Sequence, residues 1–421
     1  MNSIPARILQ IALTVFFVAC ACFAAQDAYF LHLAKAEYSV FTTFLSITVL
    51  HLRVRHTLSE LGILALSTIV LIGVASRAGY FPPGISVTLT FLGIASLAIL
   101  GIRTLWAGKS NRSVLFWGFV ASLLLISLGW VIPPALRWTA IANPKAFDLY
   151  LYSFDGSLHF QPSFFMGMLY LKWPSFHWIS ILFYMGIPIV CTAVYGEYLI
   201  RNQKASYSVL AAFLLSGPIG IVLYNFFPAL GPVYLFKSDF PLHSLSTNDV
   251  MHLHLEPIAL FGFPNAMPSL HMTWALLGLW YSCGAAWWVR LIAIVFLVFT
   301  VLSTLGTGEH YLVDLVVAFP FALLVYGIFL FSTPWRDPWR LRAVIFGTAV
   351  TFLWLALLRF ASHFFWISIV IPWTLIAVTI VATVLLERHV VTWRTGEEAL
   401  PVRSNVQLDP VEPFQTKVRA E

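Results

Sequence analysis

Charge is what this sequence has least of. Among 421 residues there are 24 Lys plus Arg and 18 Asp plus Glu, only 10% of the chain. An average soluble domain carries roughly 25% charged residues. A chain this size cannot cover a water-facing surface with so few charges, so a soluble globular fold is excluded. Intrinsic disorder is excluded as well, because it needs low hydrophobicity and high charge. Cysteine is also sparse: the four residues Cys20, Cys22, Cys191 and Cys283 all lie in apolar stretches. They read as small buried hydrophobes, not as a disulfide framework, and no Cys/His spacing suited to zinc occurs. Internal repeats and low-complexity tracts are absent. So is the polar/apolar alternation of a transmembrane β-barrel.

What is present is hydrophobic length. Apolar and aromatic residues make up 60% of the chain, and mean hydropathy is +0.86. A bilayer core of roughly 30 Å takes about 20 apolar residues per helix. On that measure about twelve spans are expected, at residues 8–25, 38–52, 58–76, 80–102, 114–136, 177–200, 206–230, 268–288, 291–306, 312–331, 343–360 and 364–386. The fold class is therefore an all-α polytopic membrane protein. The first run follows Arg7 without a clear small-residue cleavage site, and reads as a span instead of a removed signal peptide.

The net charge of +6 says less than where the cations lie, because Lys and Arg near span ends orient helices. With sides alternating, Arg7, Arg53, Arg55, Arg103, Lys109, Arg112, Arg201, Lys204, Arg290, Arg336, Arg340 and Arg342 fall on one face. Lys35, Arg77, Arg137, Lys145, Lys172, Lys237 and Arg359 fall on the other. The richer face is expected to be cytoplasmic, with both termini there. No nucleic-acid partner is expected. Residues 387–421 read as a polar cytoplasmic tail. Two connections are too long for turns. Residues 143–174 mix aromatic, Gly and charged residues and read as an interfacial segment. Residues 231–267 carry His243, His252, His254 and Glu256.

Three segments carry the chemistry: 224–232 (YNFFPALGP), 263–271 (FPNAMPSLH) and 303–314 (STLGTGEHYLVD). Alternating spans bring all three to one face, the extracytoplasmic one by the charge count. His310 and Asp314 stand four apart and would share a helix face. A carboxylate on one imidazole nitrogen fixes the tautomer and leaves the other free to attack phosphorus. His271 can protonate a leaving oxygen. Ser269 opens a helix, where free N–H groups favour anions. These pieces fit a phosphohistidine intermediate that an acceptor, water or an alcohol, would then relieve. Residues 174–177 (PSFH) form a decoy for the second segment, and His271 is preferred over His177 because of the order of the motifs. Glu309 is a candidate for an acceptor hydroxyl or a water-facing residue. Asp155 reads as a packing or capping residue, and His252 with His254 as part of a solvated loop. A transporter or an inactive scaffold is the alternative of another class.

The ordered set F-P-x-x-G-P, P-S-L-H, S-x6-H-Y-x-x-D resembles the type 2 phosphatidic acid phosphatase superfamily over roughly residues 145–332. Within it the segments look most like the branch containing fungal inositol phosphorylceramide synthase. The resemblance implies a six-helix core, His310 as nucleophile, Asp314 as its orienting carboxylate and His271 as the acid. It also implies a phosphate contact at Ser269, with Ser303, Tyr224 and Asn225 as further candidate substrate contacts, and no metal or cofactor. The implied partners are a lipid phosphate substrate, a lipid or polyol acceptor and membrane lipids, at a bacterial inner membrane. On this view residues 1–142 are an N-terminal helical region and 143–332 the core. Residues 333–386 add two spans, and 387–421 form the tail. Commoner relatives carry a Lys and an Arg in the first motif and an Arg after the serine of the third. Here Tyr224, Asn225 and Thr304 occupy that chemistry, which favours a phosphodiester over a phosphomonoester dianion. Lys172 and Lys237 are the candidate replacements. A lipid phosphate or polyprenyl pyrophosphate phosphatase is the alternative within the family.

Overall fold

A computed structural model describes residues 35–54, 56–77 and 85–397. The first expected span and most of the polar tail lie outside them. The described chain is all-helical and without strands, apart from one isolated bridge between Ala146 and Ile258. In order, the helices are α1 Lys35–Arg53, α2 Leu58–Arg77, α3 Ile85–Trp106, α4 Lys109–Ala142, α5 Asp148–Ser157, α6 Pro162–Lys172, α7 Pro174–Met185 and α8 Ile187–Arg201. Then come α9 Gln203–Phe226, α10 Pro232–Phe236, α11 Thr247–Met251, α12 Leu270–Tyr281, α13 Trp287–Gly306, α14 Leu312–Ile328, α15 Pro338–Phe360 and α16 Val370–Glu397.

Among the described residues, seven helices are long and apolar enough to cross a membrane, or eight if the bent pair α7–α8 counts as one span. Two of the remaining expected spans are shorter helices, Val40–Arg53 within α1 and α14. A third, expected over 268–288, is the twelve-residue α12. It stops because Gly284, at φ 84°, turns the chain out of the helix. The break between α7 and α8 bends them by 46°. Pro188 lies in the first turn of α8, where it lacks the N–H that would continue the ladder into α7.

Helix α14 is the centre of the molecule. Its sequence is apolar on every face, as suits a helix enclosed by others, and nearly all its residues from Val313 to Gly327 are buried. It packs against α12, α15 and α16, and more lightly against α5 and α9. Arg340 closes its C-terminus: the buried guanidinium donates from Nε to Gly327 O (2.9 Å) and from Nη2 to Ile328 O (2.8 Å). Tyr281 and Tyr326 pack in the same layer, with ring centroids 4.9 Å apart.

The two ends of the bundle differ. At one end α1, α3 and α8 finish and α2, α9 and α13 begin. Here Glu197 pairs with Arg53 and Arg201, and Glu60 with Arg103. At the other end α9 and α13 finish, α12 and α14 begin, and α5, α6, α10 and α11 lie between them. All three sequence segments gather there.

Candidate functional site

Three helix ends build the cluster. Helix α12 is capped by Ser269, whose Oγ accepts from Met272 N (3.4 Å). A serine at this position satisfies one of the free N–H groups that every helix start leaves. Its backbone N–H donates to Asp314 O (3.2 Å), which ties the start of α12 to the first turn of α14. Between α13 and α14 the chain turns at Gly308, whose φ of 70° favours glycine. His310 N then donates to Thr304 O (3.2 Å), and Ser163 Oγ of α6 donates to His310 O (2.8 Å).

The result is a buried line of three side chains. His310 Nδ1 lies 3.4 Å from Asp314 Oδ2, and His310 Nε2 lies 3.2 Å from Ser269 Oγ. All three residues are buried. The i, i+4 spacing works here in a way different from the one expected. Helix α14 begins only at Leu312, so His310 is not on a helix face. The pair meets because Asp314 is in the first turn and reaches back past its own helix start. There Asp314 Oδ2 also accepts from Tyr311 N (2.8 Å). Asp314 is therefore both a helix cap and the imidazole's neighbour.

His271 follows Ser269 by two residues in the first turn of α12. Its ring is half-buried and stacks on Tyr184 of α7, with centroids 3.9 Å apart and planes inclined by 21°. Trp274 meets it edge-on at 5.8 Å. His177, in the decoy motif, instead stacks on Tyr170 at 4.7 Å near the start of α7. Tyr224 is buried and donates its hydroxyl to Pro268 O (3.2 Å), immediately before Ser269.

Two of the sequence candidates are not brought to this line. Asn225 bonds to α4: its amide donates to Thr139 Oγ1 (3.3 Å), and its carbonyl accepts from Asn143 Nδ2 (2.9 Å). Being next to Tyr224 on a helix, it necessarily points in another direction. Ser303 returns its hydroxyl to its own helix, to Phe299 O at 2.6 Å. Glu309 is buried, and Tyr234 donates to it at 3.4 Å. Lys172 lies 6.0 Å over the Trp173 ring. Among the described residues no Lys or Arg pairs with Asp314, and no group of three His, Cys, Asp or Glu side chains could hold a metal ion. His252 and His254 are exposed on the loop after α11.

Helix α5 supplies Asp155, read from the sequence as a packing or capping residue, and Asp148, which sequence reading missed. Asp148 and Asp155 stand seven residues apart, two turns on one face, and both point at the start of α14. Asp155 caps it, accepting from Leu312 N (2.8 Å) and Val313 N (3.4 Å). That agrees with a capping role. Asp148 accepts from Gly231 N (2.7 Å), from Leu230 N (3.1 Å) and from Tyr311 Oη (3.1 Å). Both carboxyls are fully enclosed. Burial pushes Asp148 up to about 7, against the pull of those donors. It raises Asp155 well above the usual carboxylate range, opposed by the Leu312 N–H and reinforced by Asp314. The only advance signal was two acidic residues at helical spacing in an otherwise aromatic stretch.

The F-P-x-x-G-P turn abuts the histidine loop directly. Gly231 has φ 131°, and a Cβ built on it would lie 2.5 Å from Glu309 O. Val233 N donates to Gly308 O (3.0 Å). Glycine is required here for conformation and for the close approach alike.

Comparison with known proteins gives one match. Residues 149–328 match the family model of the PAP2 superfamily. The match begins within α5, ends at the last residue of α14, and includes the three motifs. It supports the type 2 phosphatidic acid phosphatase superfamily for this segment, with a phosphatase or phosphotransferase type of activity. No curated protein and no solved structure matches the chain.

Proposed function

We propose that this membrane protein transfers a phosphorylated headgroup from a lipid-linked phosphate to an alcohol, through a phosphohistidine on His310. The observation that carries the reading is the placement of His310 between Asp314 at Nδ1 and Ser269 at Nε2. With its Nδ1–H directed at a carboxylate, the ring keeps the lone pair of Nε2 for attack. Ser269 lies where the phosphoryl oxygens would arrive, at a helix start whose free N–H groups and dipole favour anions.

In the first half-reaction Nε2 of His310 forms a bond to phosphorus. The bond from phosphorus to the lipid oxygen breaks, and His271 gives that oxygen its proton. In the second, neutral His271 takes the proton of the incoming hydroxyl, the new P–O bond forms, and the P–N bond breaks. Stacking on Tyr184 supports a fixed ring position for His271. Asp314 offsets the positive charge of the phosphorylated imidazole. The chemistry uses no group beyond these side chains, substrate and acceptor.

A phosphodiester donor is favoured because the cluster holds buried carboxylates and, among the described residues, no Lys or Arg pairs with Asp314. The extracytoplasmic face is favoured because the opposite end of the bundle carries Arg53, Arg103 and Arg201. The test compares membrane lipids with active protein and with His310→Ala by mass spectrometry. A phosphodiester lipid made only by the active protein supports transfer. A phosphorylated lipid consumed without a new diester means hydrolysis instead. Identical lipids with both proteins would reject the reading.

A further inference from the structure

Tyr311 touches two carboxylates at once. Its backbone N–H donates to Asp314 Oδ2, the oxygen that faces His310, and its hydroxyl donates to Asp148 Oδ1. Asp148 in turn holds the N–H groups of Leu230 and Gly231, and Gly231 lies against the carbonyls of Gly308 and Glu309. The short loop that presents His310 is thus gripped on two sides by ties that end on one carboxylate. Replacing that carboxylate by an apolar group would leave two backbone donors and a phenol without an acceptor in a fully enclosed place. Buried donors of that kind move to find partners.

We infer that Asp148, acting through Tyr311 and the Gly231 turn, is a positioning residue for His310. The inference rests on the reading of His310 as a nucleophile. Asp148 is itself removed from the reacting atoms, since Tyr311 and the turn stand between. Its effect falls on the chemical step more than on substrate binding, because a histidine displaced by a fraction of an ångström still leaves the lipid site intact.

The experiment uses full-length protein in detergent with two readouts. One is turnover of dioctanoyl phosphatidylinositol and dioctanoyl phosphatidic acid. The other is binding of orthovanadate, a phosphate analogue that a nucleophilic histidine captures. The proteins are the wild type, His310→Ala, Tyr311→Phe, Asp148→Ala and the Tyr311→Phe/Asp148→Ala pair. The expected result is a kcat about ten-fold lower in each single variant, with KM within two-fold. The double variant should also be about ten-fold down, since both changes cut the same tie. Vanadate affinity should fall in parallel, while Tm shows that each variant is folded.

Wild-type kcat in both single variants would overturn the inference, and so would losses that multiply to about a hundred-fold. Equal loss of Tm and yield with unchanged kcat per folded molecule would reduce Asp148 to a fold-stabilising residue. If His310→Ala keeps turnover and vanadate binding, the reading of His310 itself fails, whatever the other variants do. A wild type that neither turns over the lipids nor binds vanadate overturns both.

Discussion

Asp314→Asn tests the site at one atom. In the wild type, Asp314 Oδ2 accepts from Tyr311 N at 2.8 Å and faces His310 Nδ1 at 3.4 Å. Asparagine has nearly the same shape, and its carbonyl can keep the Tyr311 bond. That carbonyl then takes the place of Oδ2 and still faces Nδ1, so the substitution removes the negative charge and leaves the acceptor in place. On the proposed mechanism, what is lost is the carboxylate's attraction for a phosphorylated, positively charged ring. For unit charges 3.4 Å apart in an effective dielectric of about 20, that attraction is roughly 5 kcal/mol. One decade of rate corresponds to about 1.4 kcal/mol, so kcat should fall by about 10³–10⁴-fold. Tm should hold or rise, because a buried charge has become neutral without loss of volume. The assay is single-turnover formation of acid-labile, base-stable phosphoenzyme from radiolabelled lipid, followed beside Tm. A variant within ten-fold of wild type, with unchanged Tm, would refute the argument that the charge of Asp314 supports a phosphorylated His310.

Three further outcomes follow from the same geometry. Gly231→Ala should cost about 3 kcal/mol or more and abolish turnover. It adds an atom 2.5 Å from Glu309 O at a φ of 131° that L-residues avoid, and wild-type Tm would contradict this. Asp148 links stability to pH: its carboxyl lies near 3.8 in the unfolded chain and is pushed up to about 7 by burial in the folded one. The folded state therefore keeps a proton that the unfolded state has lost, and stability falls as pH rises from about 4 to 7, then levels off. The full difference is about 4 kcal/mol, and Asp148→Asn should flatten the curve by that share. Equal slopes for the two proteins from pH 4.5 to 8 would exclude it. For topology, single cysteines at Ser244 and Thr333, in a background without the native cysteines, should react with an impermeant thiol reagent from opposite sides of the membrane. Labelling from one side would overturn the proposed orientation.

What could be read from the sequence was decided locally. Membrane class follows from composition. The gathering of the three segments follows from counting spans between them, and that count holds for α12 and α13 although α12 is shorter than expected. Ser269 was legible as a cap because a serine at a helix start is a local pattern. The pairing of His310 with Asp314 was legible as spacing but not as mechanism. Where α14 begins depends on Asp155, which lies more than 150 residues earlier and caps its first turn. Asp148 and Tyr184 were invisible for the same reason: neither belongs to a motif, and each acquires its role only when α5 and α7 fold against the cluster. Tyr224 and Asn225 show the converse limit. Adjacent residues of one motif face different neighbours, and only Tyr224 turns toward Ser269.

The shortage of charge has a chemical consequence for the substrate. Asp148, Asp155 and Asp314 are all buried around one helix start, and among the described residues each is held by N–H or O–H donors instead of by Lys or Arg. Beside Ser269 the proposed mechanism draws on the helix start and on two histidines, His310 and His271. The proposed mechanism asks His310 to attack through a lone pair on Nε2 and His271 to bring a proton to the leaving oxygen. A phosphodiester carries one negative charge, which protonated His271 balances alone. The substrate of lower charge is therefore the one the proposed transfer favours, since among the described residues no Lys or Arg pairs with Asp314.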